Sequence, residues 1–289
     1  MDKELLIAKE PRQAIDILQS LVAVADINQI EQAMMQEKQV ECSVIHRFGP
    51  GLYIREVHVP ADTFAVGHRQ KTEHMNVFLK GRVTVFNDNG TTSELVAPMI
   101  FVGNPGRKIG YVHEDMVWLN VYSTDETDVN TLEDMFIEKS MTWEEQAKIA
   151  KKSNLLAVND DYQAVLSEFG FCHETAVAQS ENTSDQTPFP HGSYKCKVGK
   201  SDIHGMGIFA TASIVDGELI APARIDGKRT PAGRYTNHSQ FPNAEMRINA
   251  RGDIDLVAIK CIKGCPGGMD GEEVTINYRQ ALRLQMEGK

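Results

Sequence analysis

The sequence predicts a mainly β protein with helical flanks, in which a barrel of short strands is followed by a second, compact β domain. Residues 39–127 contain short apolar runs separated by turn residues, a pattern typical of a sandwich or barrel. Residues 179–193 are polar, contain two prolines and lack an apolar period, so they predict a linker. Residues 194–289 contain short strands and many glycines, without a long amphipathic helix.

Helical segments are predicted on both sides of the barrel region. Apolar side chains recur at helical spacing from Ile15 to Met34, and we assign an N-terminal helical segment to residues 1–38. Residues 128–178 form a second helical segment, in which Thr142 and Glu145 have the spacing of a capping box.

Length and composition exclude several classes of protein. The chain has 289 residues, of which 42% are hydrophobic and 24% charged, so it is neither mostly disordered nor fibrous. No run approaches the roughly 18 apolar residues of a membrane-spanning helix. The start, Met1–Glu4, lacks the profile of a secretory signal, and five cysteines at irregular spacing indicate reduced thiols. We therefore expect a cytoplasmic protein without a membrane partner.

Charge is divided unevenly along the chain. The net charge of −10 combines +3 for residues 193–289, which hold 14 Lys and Arg against 11 Asp and Glu, with −13 for residues 1–192. A strongly acidic first part repels the phosphate backbone of a nucleic acid. We therefore expect no nucleic-acid partner.

Three segments of the barrel region predict individual strands. Val40–Phe48 ends at a Gly-Pro-Gly turn, and Leu52–Val59 ends at a proline. Arg82–Phe86 meets Asn87-Asp-Asn-Gly, which is a hairpin signal.

Between these strands, His68, Gln70, His74 and Gly81 follow the spacing His-x-Gln-x3-His-x6-Gly. This segment resembles the first motif of the cupin family of jelly-roll barrels, with Gln70 in place of the second histidine and His74 in place of the glutamate. The resemblance implies a cupin-like jelly-roll over residues 39–127. A cupin metal site needs about three imidazoles and a carboxylate around one ion. Because of the two replacements we expect no bound metal, and the candidate ligands His68, Gln70 and His74 are otherwise ordinary residues of the barrel interior.

Two further segments, Pro98–Gly106 and Glu114–Asn120, make the barrel region resemble cupin-type proteins encoded by tailed bacteriophages. The resemblance implies a phage source and a location in the cytoplasm of the host cell. Cupin barrels often associate through strand edges or faces, so it also implies a homodimer formed through the barrel.

The last region contains three blocks in order: His204–Ala210, Arg234–Ala244 and Gly271–Tyr278. The second block combines Asn-His-Ser with Pro-Asn, and all three fall within 75 residues. Together they resemble the SET domain, a lysine methyltransferase fold that uses S-adenosyl-L-methionine. The resemblance implies a SET domain over residues 194–289.

The resemblance also implies which residues bind the cofactor. Gly205, Met206 and Gly207 would lie against S-adenosyl-L-methionine, because a glycine has no Cβ to keep the backbone away. Asn237 and His238 would contact the cofactor from a loop that encloses the C-terminal segment.

Further residues of the blocks have catalytic or structural roles in this resemblance. Tyr278 matches the catalytic tyrosine, and Tyr235 is a candidate for lining the lysine channel. Arg234 is expected to pair with an acidic neighbour, and Asn243 to hold its loop by side-chain-to-backbone bonds. The implied reaction is direct methyl transfer to a neutral lysine amine, in which the protein aligns the reacting groups.

Two classes of function remain open. In the first, the chain is an S-adenosyl-L-methionine-dependent protein-lysine methyltransferase that acts on a lysine of an unknown phage or host protein. In the second, it is a non-catalytic phage structural or host-interaction protein that uses the SET and cupin folds as scaffolds. The second is favoured by two departures: only 29 residues, 208–236, separate the first two blocks, and no cysteine-rich tail follows Tyr278. A metal-binding or sugar-binding activity of the barrel is a third possibility.

Overall fold

The computed structural model describes residues 11–24, 26–87, 92–153 and 161–287. Strands make up 42% and helices 24% of the structure, which confirms the prediction of a mainly β protein. The chain divides into two compact units. The first comprises Met1–Glu126, Thr131–Ala150 and Pro266–Met269, and the second comprises Thr127–Asn130, Lys151–Cys265 and Asp270–Lys289.

The first unit begins with helices and continues as antiparallel strands. Its elements up to residue 123 are α1 (Pro11–Val24), α2 (Ile27–Met34), β1 (Val44–Gly49), β2 (Leu52–Val59), β3 (Thr63–Val66), β4 (Arg69–Gln70), β5 (His74–Asn87), β6 (Thr92–Val96), β7 (Met99–Gly103) and β8 (Lys108–Ser123). Three elements follow, α3 (Val129–Phe136), β9 (Ile137–Glu138), which pairs with β4, and α4 (Met141–Ser153).

The long strands β5 and β8 lie beside each other and organise the first unit. The first half of β5 pairs with β7 and its second half with β6, while β8 pairs first with β3 and then with β2. Phe78, Val83 and Val112, which come from different halves of these strands, meet in one buried cluster. The sheet therefore wraps around an apolar interior, and each fully buried side chain there contributes about 1.5–3 kcal/mol.

Helices α1 and α2 cover the outer surface of this sheet. Leu18 of α1 and Ile30 of α2 pack with Phe86 and Ile109 in a second buried cluster. The predicted N-terminal segment is thus helical in α1 and α2, while its residues 1–10 lie outside the described part of the chain.

Helix α4 begins differently from the prediction. Instead of Thr142, the Ser140 hydroxyl oxygen accepts a hydrogen bond from the Trp143 backbone N–H at 3.1 Å, as an N-cap side chain does. The helix already includes Met141, so Thr142 lies inside its first turn and cannot be the residue that precedes the helix.

The second unit contains two small sheets flanked by helices. Its elements are α5 (Tyr162–Glu168), α6 (His173–Glu181), β10 (Gly192–Tyr194), β11 (Cys196–Lys200), β12 (Met206–Ala210), β13 (Leu219–Ile225), β14 (Lys228–Arg229), α7 (Pro231–Tyr235), β15 (Asn237–His238), β16 (Ala244–Ile248), β17 (Ile254–Ala258), β18 (Glu273–Ile276) and α8 (Tyr278–Glu287). One sheet has the order β11-β12-β18-β15 and the other β14-β13-β17-β16.

The predicted linker over residues 179–193 differs from the structure. Helix α6 extends to Glu181, and the Asp185 carboxylate accepts two hydrogen bonds from the Arg229 guanidinium, at 2.7 and 2.9 Å. The Thr187 N–H donates to the Arg229 carbonyl at 2.9 Å. This polar stretch is thus bonded to its own unit, although much of it is exposed to solvent.

One segment of the C-terminal region, Pro266–Met269, belongs to the first unit, which departs from the predicted domain boundary at residue 194. The Gly267 N–H donates to the Val40 carbonyl at 2.7 Å, and Trp143 Nε1 donates to the Gly267 carbonyl at 3.4 Å. The chain therefore leaves the second unit, joins the first and returns.

No helix of the described residues is long and apolar enough to span a membrane.

Candidate functional site

The structure brings the three blocks of the second unit together on one sheet. β15, from the second block, is parallel to β18, from the third, with Asn237 opposite Thr275 and His238 opposite Ile276. β12, from the first block, is antiparallel to the other edge of β18. Residues more than sixty positions apart in sequence therefore lie on neighbouring strands.

The Asn237 side chain joins all three blocks. Its Nδ2 lies 3.0 Å from the Met206 carbonyl oxygen, 3.3 Å from that of His204 and 2.7 Å from Glu273 Oε1. Asn237 is buried, so these acceptors replace water around its amide donors. The carboxamide thereby fixes the glycine-containing turn next to β18.

The two glycines of the first block are required for different reasons. Gly205 has a φ of +53°, in the left-handed region, and nothing lies within 4 Å of where its Cβ would be. A Cβ on Gly207 would instead overlap Glu273 Oε1 and lie 3.1 Å from Ser201 Cβ. Gly207 therefore makes room for a carboxylate of its own chain, whereas His204, Gly205 and Met206 are exposed to solvent.

Asn243 forms the side-chain-to-backbone bonds that were predicted for it. Its Nδ2 donates to the Glu273 carbonyl and its Oδ1 accepts from the Thr275 N–H, both at 2.8 Å. The loop between Asn237 and Asn243 is therefore attached to β18 at both of its ends.

Tyr278 lies at the end of this sheet. Its hydroxyl donates to the Thr236 carbonyl at 3.1 Å, and its ring centroid is 5.2 Å from that of His238. Burial raises the pKa of the Tyr278 phenol well above its usual value, and the nearby Tyr162 and Glu273 add to the increase. The hydroxyl therefore stays protonated at neutral pH and serves as a hydrogen-bond donor rather than as a base.

Both ring nitrogens of His238 are occupied. Nδ1 accepts a hydrogen bond from the Tyr278 N–H at 3.2 Å, and Nε2 lies 2.5 Å from Asp161 Oδ1. Since Nδ1 is an acceptor, the proton of the neutral ring is on Nε2 and points to the carboxylate. Asp161 also accepts from Arg279 Nη1 at 2.6 Å, and these two partners lower the pKa of its carboxyl.

Helices α5 and α6 supply side chains that the sequence analysis missed. The Tyr162 ring meets the Tyr278 ring edge-on, with centroids 6.2 Å apart, and His173 meets His204 in the same way at the same distance. Glu168 Oε2 accepts from Arg279 Nε at 2.6 Å. Asp161 precedes α5 and Glu168 ends it, and their spacing in sequence does not point to an arginine 118 and 111 positions away.

Arg234 does not meet the expectation of an acidic partner, whereas the expectation that Tyr235 lines a lysine channel stays a prediction. The Arg234 guanidinium lies over the Tyr235 ring, 5.0 Å from its centroid, and has no acidic partner among the residues that the structure describes. In that same part of the chain, no ring contact joins Tyr235 to Tyr278. The short helix α7 ends at Tyr235 and directs this ring toward its neighbour in sequence.

In the first unit, the side chains of the three candidate metal ligands have other partners. The His68 ring contacts Trp143 edge-on at 5.0 Å, Gln70 Oε1 accepts from the Tyr122 hydroxyl at 2.6 Å, and His74 Nδ1 donates to the Thr72 carbonyl at 3.0 Å. Over the described ranges, no three His, Cys, Asp or Glu side chains are grouped so that they could hold a metal ion. All three residues nevertheless line one cavity of the first unit.

Comparisons with known proteins found no matching family model and no matching curated protein. Similar solved structures include a cupin domain from Bordetella pertussis, with 14% identity, a TM-score of 0.26, and coverage of 30% of this chain and 98% of that one. A cupin-2 domain protein from Shewanella frigidimarina has 12% identity and a TM-score of 0.24, and the match covers 36% of this chain and 97% of that one. An RmlC-like cupin from Methanocaldococcus jannaschii has 11% identity and a TM-score of 0.25, and the match covers 31% of this chain and 86% of that one. The chain is thus similar over about a third of its length to several cupin-domain proteins.

Proposed function

We propose that the second unit is an S-adenosyl-L-methionine-dependent protein-lysine methyltransferase that acts on a phage or host protein. The observation that supports this function is the position of the Asn237 carboxamide. It bonds to the exposed Gly205 turn and to β18, and the loop that follows it is also bonded to β18, the strand leading to Tyr278. A solvent-exposed turn, an anchored asparagine and a protonated phenol are features that the resemblance to the SET domain implies for a methyl-transfer site.

Each residue of this site has a task that its surroundings permit. The turn at Gly205 and Met206 is exposed and would bind the cofactor, Asn237 holds the backbone of this turn, and His238 holds the backbone at Tyr278. When bound, S-adenosyl-L-methionine supplies an electrophilic methyl group. In the structure the Tyr278 hydroxyl donates a hydrogen bond to the Thr236 carbonyl, and in the complex with substrate it would orient the target amine. Its raised pKa is compatible with that task and not with proton abstraction.

A binding and activity experiment tests the proposal. Isothermal titration of the full chain with S-adenosyl-L-methionine is expected to give saturable binding. Tyr278→Phe is expected to keep that binding and lose transfer of labelled methyl groups to proteins of a host lysate. Tyr194→Phe is a matched control, because its buried hydroxyl also donates to a backbone carbonyl, that of Pro190, and the residue lies outside the three blocks. Absence of binding at millimolar cofactor would overturn the proposal.

A second candidate is the non-catalytic scaffold, and one observation favours it. Two of the residues assigned to the cofactor already have a structural role without it. Gly207 leaves space for the Glu273 side chain, and the Asn237 amide bonds to Glu273 and to backbone carbonyls. In that case the same titration gives no binding and the Tyr278→Phe variant behaves as the wild type. The homodimer through the barrel stays a prediction, and sedimentation velocity on the full chain measures it.

A further inference from the structure

The interior of the first unit contains a cavity that the apolar cluster does not fill. Its volume is about 270 Å³, close to the lower end of the range for small-ligand sites. Val57, Val85 and Trp118 are among its apolar walls, and Arg55 and Asn76 are among its polar ones. The cavity combines apolar surface with a few polar groups, which is the usual composition of a site for a small organic molecule.

Asn76 presents an unused donor in this cavity. Its Oδ1 accepts two hydrogen bonds, from Trp118 Nε1 and Asn120 Nδ2, both at 2.8 Å. These two donors fix the orientation of the amide, so the NH2 group must be on the other side. The side chain is only 1% exposed, and its Nδ2 has no hydrogen-bond partner. A buried donor without an acceptor is destabilising unless a ligand supplies one.

Arg55 adds a positive charge to the same cavity. It lies on β2 and lines the cavity, and its buried Nε has no hydrogen-bond partner. Within the described ranges no carboxylate forms an ion pair with it. Glu31, the acidic residue on the wall of the cavity, pairs with Arg107. The guanidinium is permanently charged, so the cavity has an uncompensated cation.

His68 is a third polar group on the wall of the cavity, and its buried Nδ1 has no partner. Its ring meets the Trp143 ring edge-on, which fixes its orientation in the wall. Arg55 is therefore the group of this wall that the proposal uses, and one guanidinium without an ion-pair partner matches one negative charge.

We propose that the barrel binds a small organic monocarboxylate, whose oxygens accept from Arg55 and Asn76 and whose apolar part lies against Val57 and Trp118. The free groups that the cavity presents at these two residues are donors, which requires acceptor oxygens on the ligand. A planar guanidinium suits a planar carboxylate, and the apolar walls favour a ligand with a hydrocarbon part. This site lies within the first unit and does not depend on methyl transfer by the second.

Titration of the full chain with benzoate and hexanoate tests the proposal, with benzamide, hexanamide and inorganic phosphate as comparison probes. Saturable binding of a carboxylate, at least about tenfold tighter than of its amide, is the expected result. Absence of binding of both acids up to about 10 mM, equal affinity for acid and amide, or tighter binding of phosphate would each overturn it.

Three variants locate the site. Arg55→Gln removes the charge and is expected to weaken carboxylate binding by roughly tenfold to a hundredfold. Asn76→Asp retains the acceptor used by Trp118 and Asn120 but replaces the free donor by a carboxylate oxygen, so binding should be lost. Arg82→Gln removes an arginine that pairs with exposed glutamates and does not line the cavity, and it should bind as the wild type. Circular dichroism confirms folding, and unchanged affinity in both folded cavity variants would refute the assignment.

Discussion

Glu31→Gln is the most direct test of how the first unit is held together. Glu31 and Arg107 form an ion pair in which each side chain is only 5% exposed. Arg107 also donates to the Gly67 carbonyl and to Asn28 Oδ1, each at 2.8 Å, and the Ser140 hydroxyl donates to Glu31 at 2.5 Å. The pair therefore attaches α2 to two connecting segments of the barrel.

The burial of the pair determines the expected magnitude. Removing one member of a buried pair leaves the other charge uncompensated, at a cost of about 3–5 kcal/mol. Glutamine keeps an acceptor for Ser140 and Arg107, so we expect a loss near 3 kcal/mol in the free energy of unfolding. Glu114→Gln is the matched control, because Glu114 and Arg82 are 62% and 37% exposed. An exposed pair contributes about 0–1 kcal/mol.

Tryptophan fluorescence during urea unfolding measures the difference. The chain has two tryptophans, Trp118 and Trp143, and both belong to the first unit, so the signal reports on that unit. The free energy of unfolding decreases linearly with urea, which gives its value in water. The double variant Glu31→Met/Arg107→Met should recover part of the loss, because it leaves no buried charge. A Glu31→Gln loss equal to that of Glu114→Gln would refute the reasoning.

Two further predictions concern the second unit. Gly207→Ala should lower the thermal midpoint more than Gly205→Ala, because the new Cβ at position 207 would overlap the Glu273 carboxylate. A Cβ at position 205 has free space around it, so Gly205→Ala adds only the strain of a positive φ, about 1–2 kcal/mol. Equal shifts of the midpoint in differential scanning fluorimetry would contradict this prediction. Asp161→Asn should make stability less sensitive to acid, because the His238 ring and the guanidinium beside it lower the pKa of this carboxyl below its usual 3.8. The stability that the ionised Asp161 contributes is present above about pH 4 and is lost as the pH falls through the pKa of the folded state. Urea midpoints of the wild type and the variant across this pH range measure the difference. The same dependence of the midpoint on pH in both proteins would contradict the prediction.

The strands of the barrel could be predicted best where turn residues bound them. The predicted strand Leu52–Val59 lies between Gly51 and Pro60 and coincides with β2. Arg82–Phe86 is only the second half of β5, since the pairing with β8 is irregular between Phe78 and Val83. The residues in the interior cluster change there from an even position, Phe78, to odd positions, Val83 and Val85. When the inward-facing positions shift by one residue within a strand, apolar and polar residues no longer alternate along its whole length. The sequence pattern then identifies only one half of the strand.

The candidate site could be predicted from its blocks but not from its surroundings. The parallel pairing of Asn237 and His238 with β18 agrees with the loop that the resemblance implies. The contacts of Asp161 and Tyr162 with this region could not be anticipated, because a charged residue and an aromatic residue in a polar helix carry no mark of their distant partners. The unpaired donors at Arg55 and Asn76 were missed for the same reason, as the absence of a partner is visible only in three dimensions.

The return of Pro266–Met269 to the first unit limits how this gene can be divided. A fragment that begins at the stretch before β10 would carry these four residues without the Val40 and Trp143 groups that bond to Gly267. A fragment that ends there would leave those groups facing water. Shuffling of modules by recombination at that position would therefore damage both products, and expression of either half alone is best designed with this excursion replaced by a short flexible bridge.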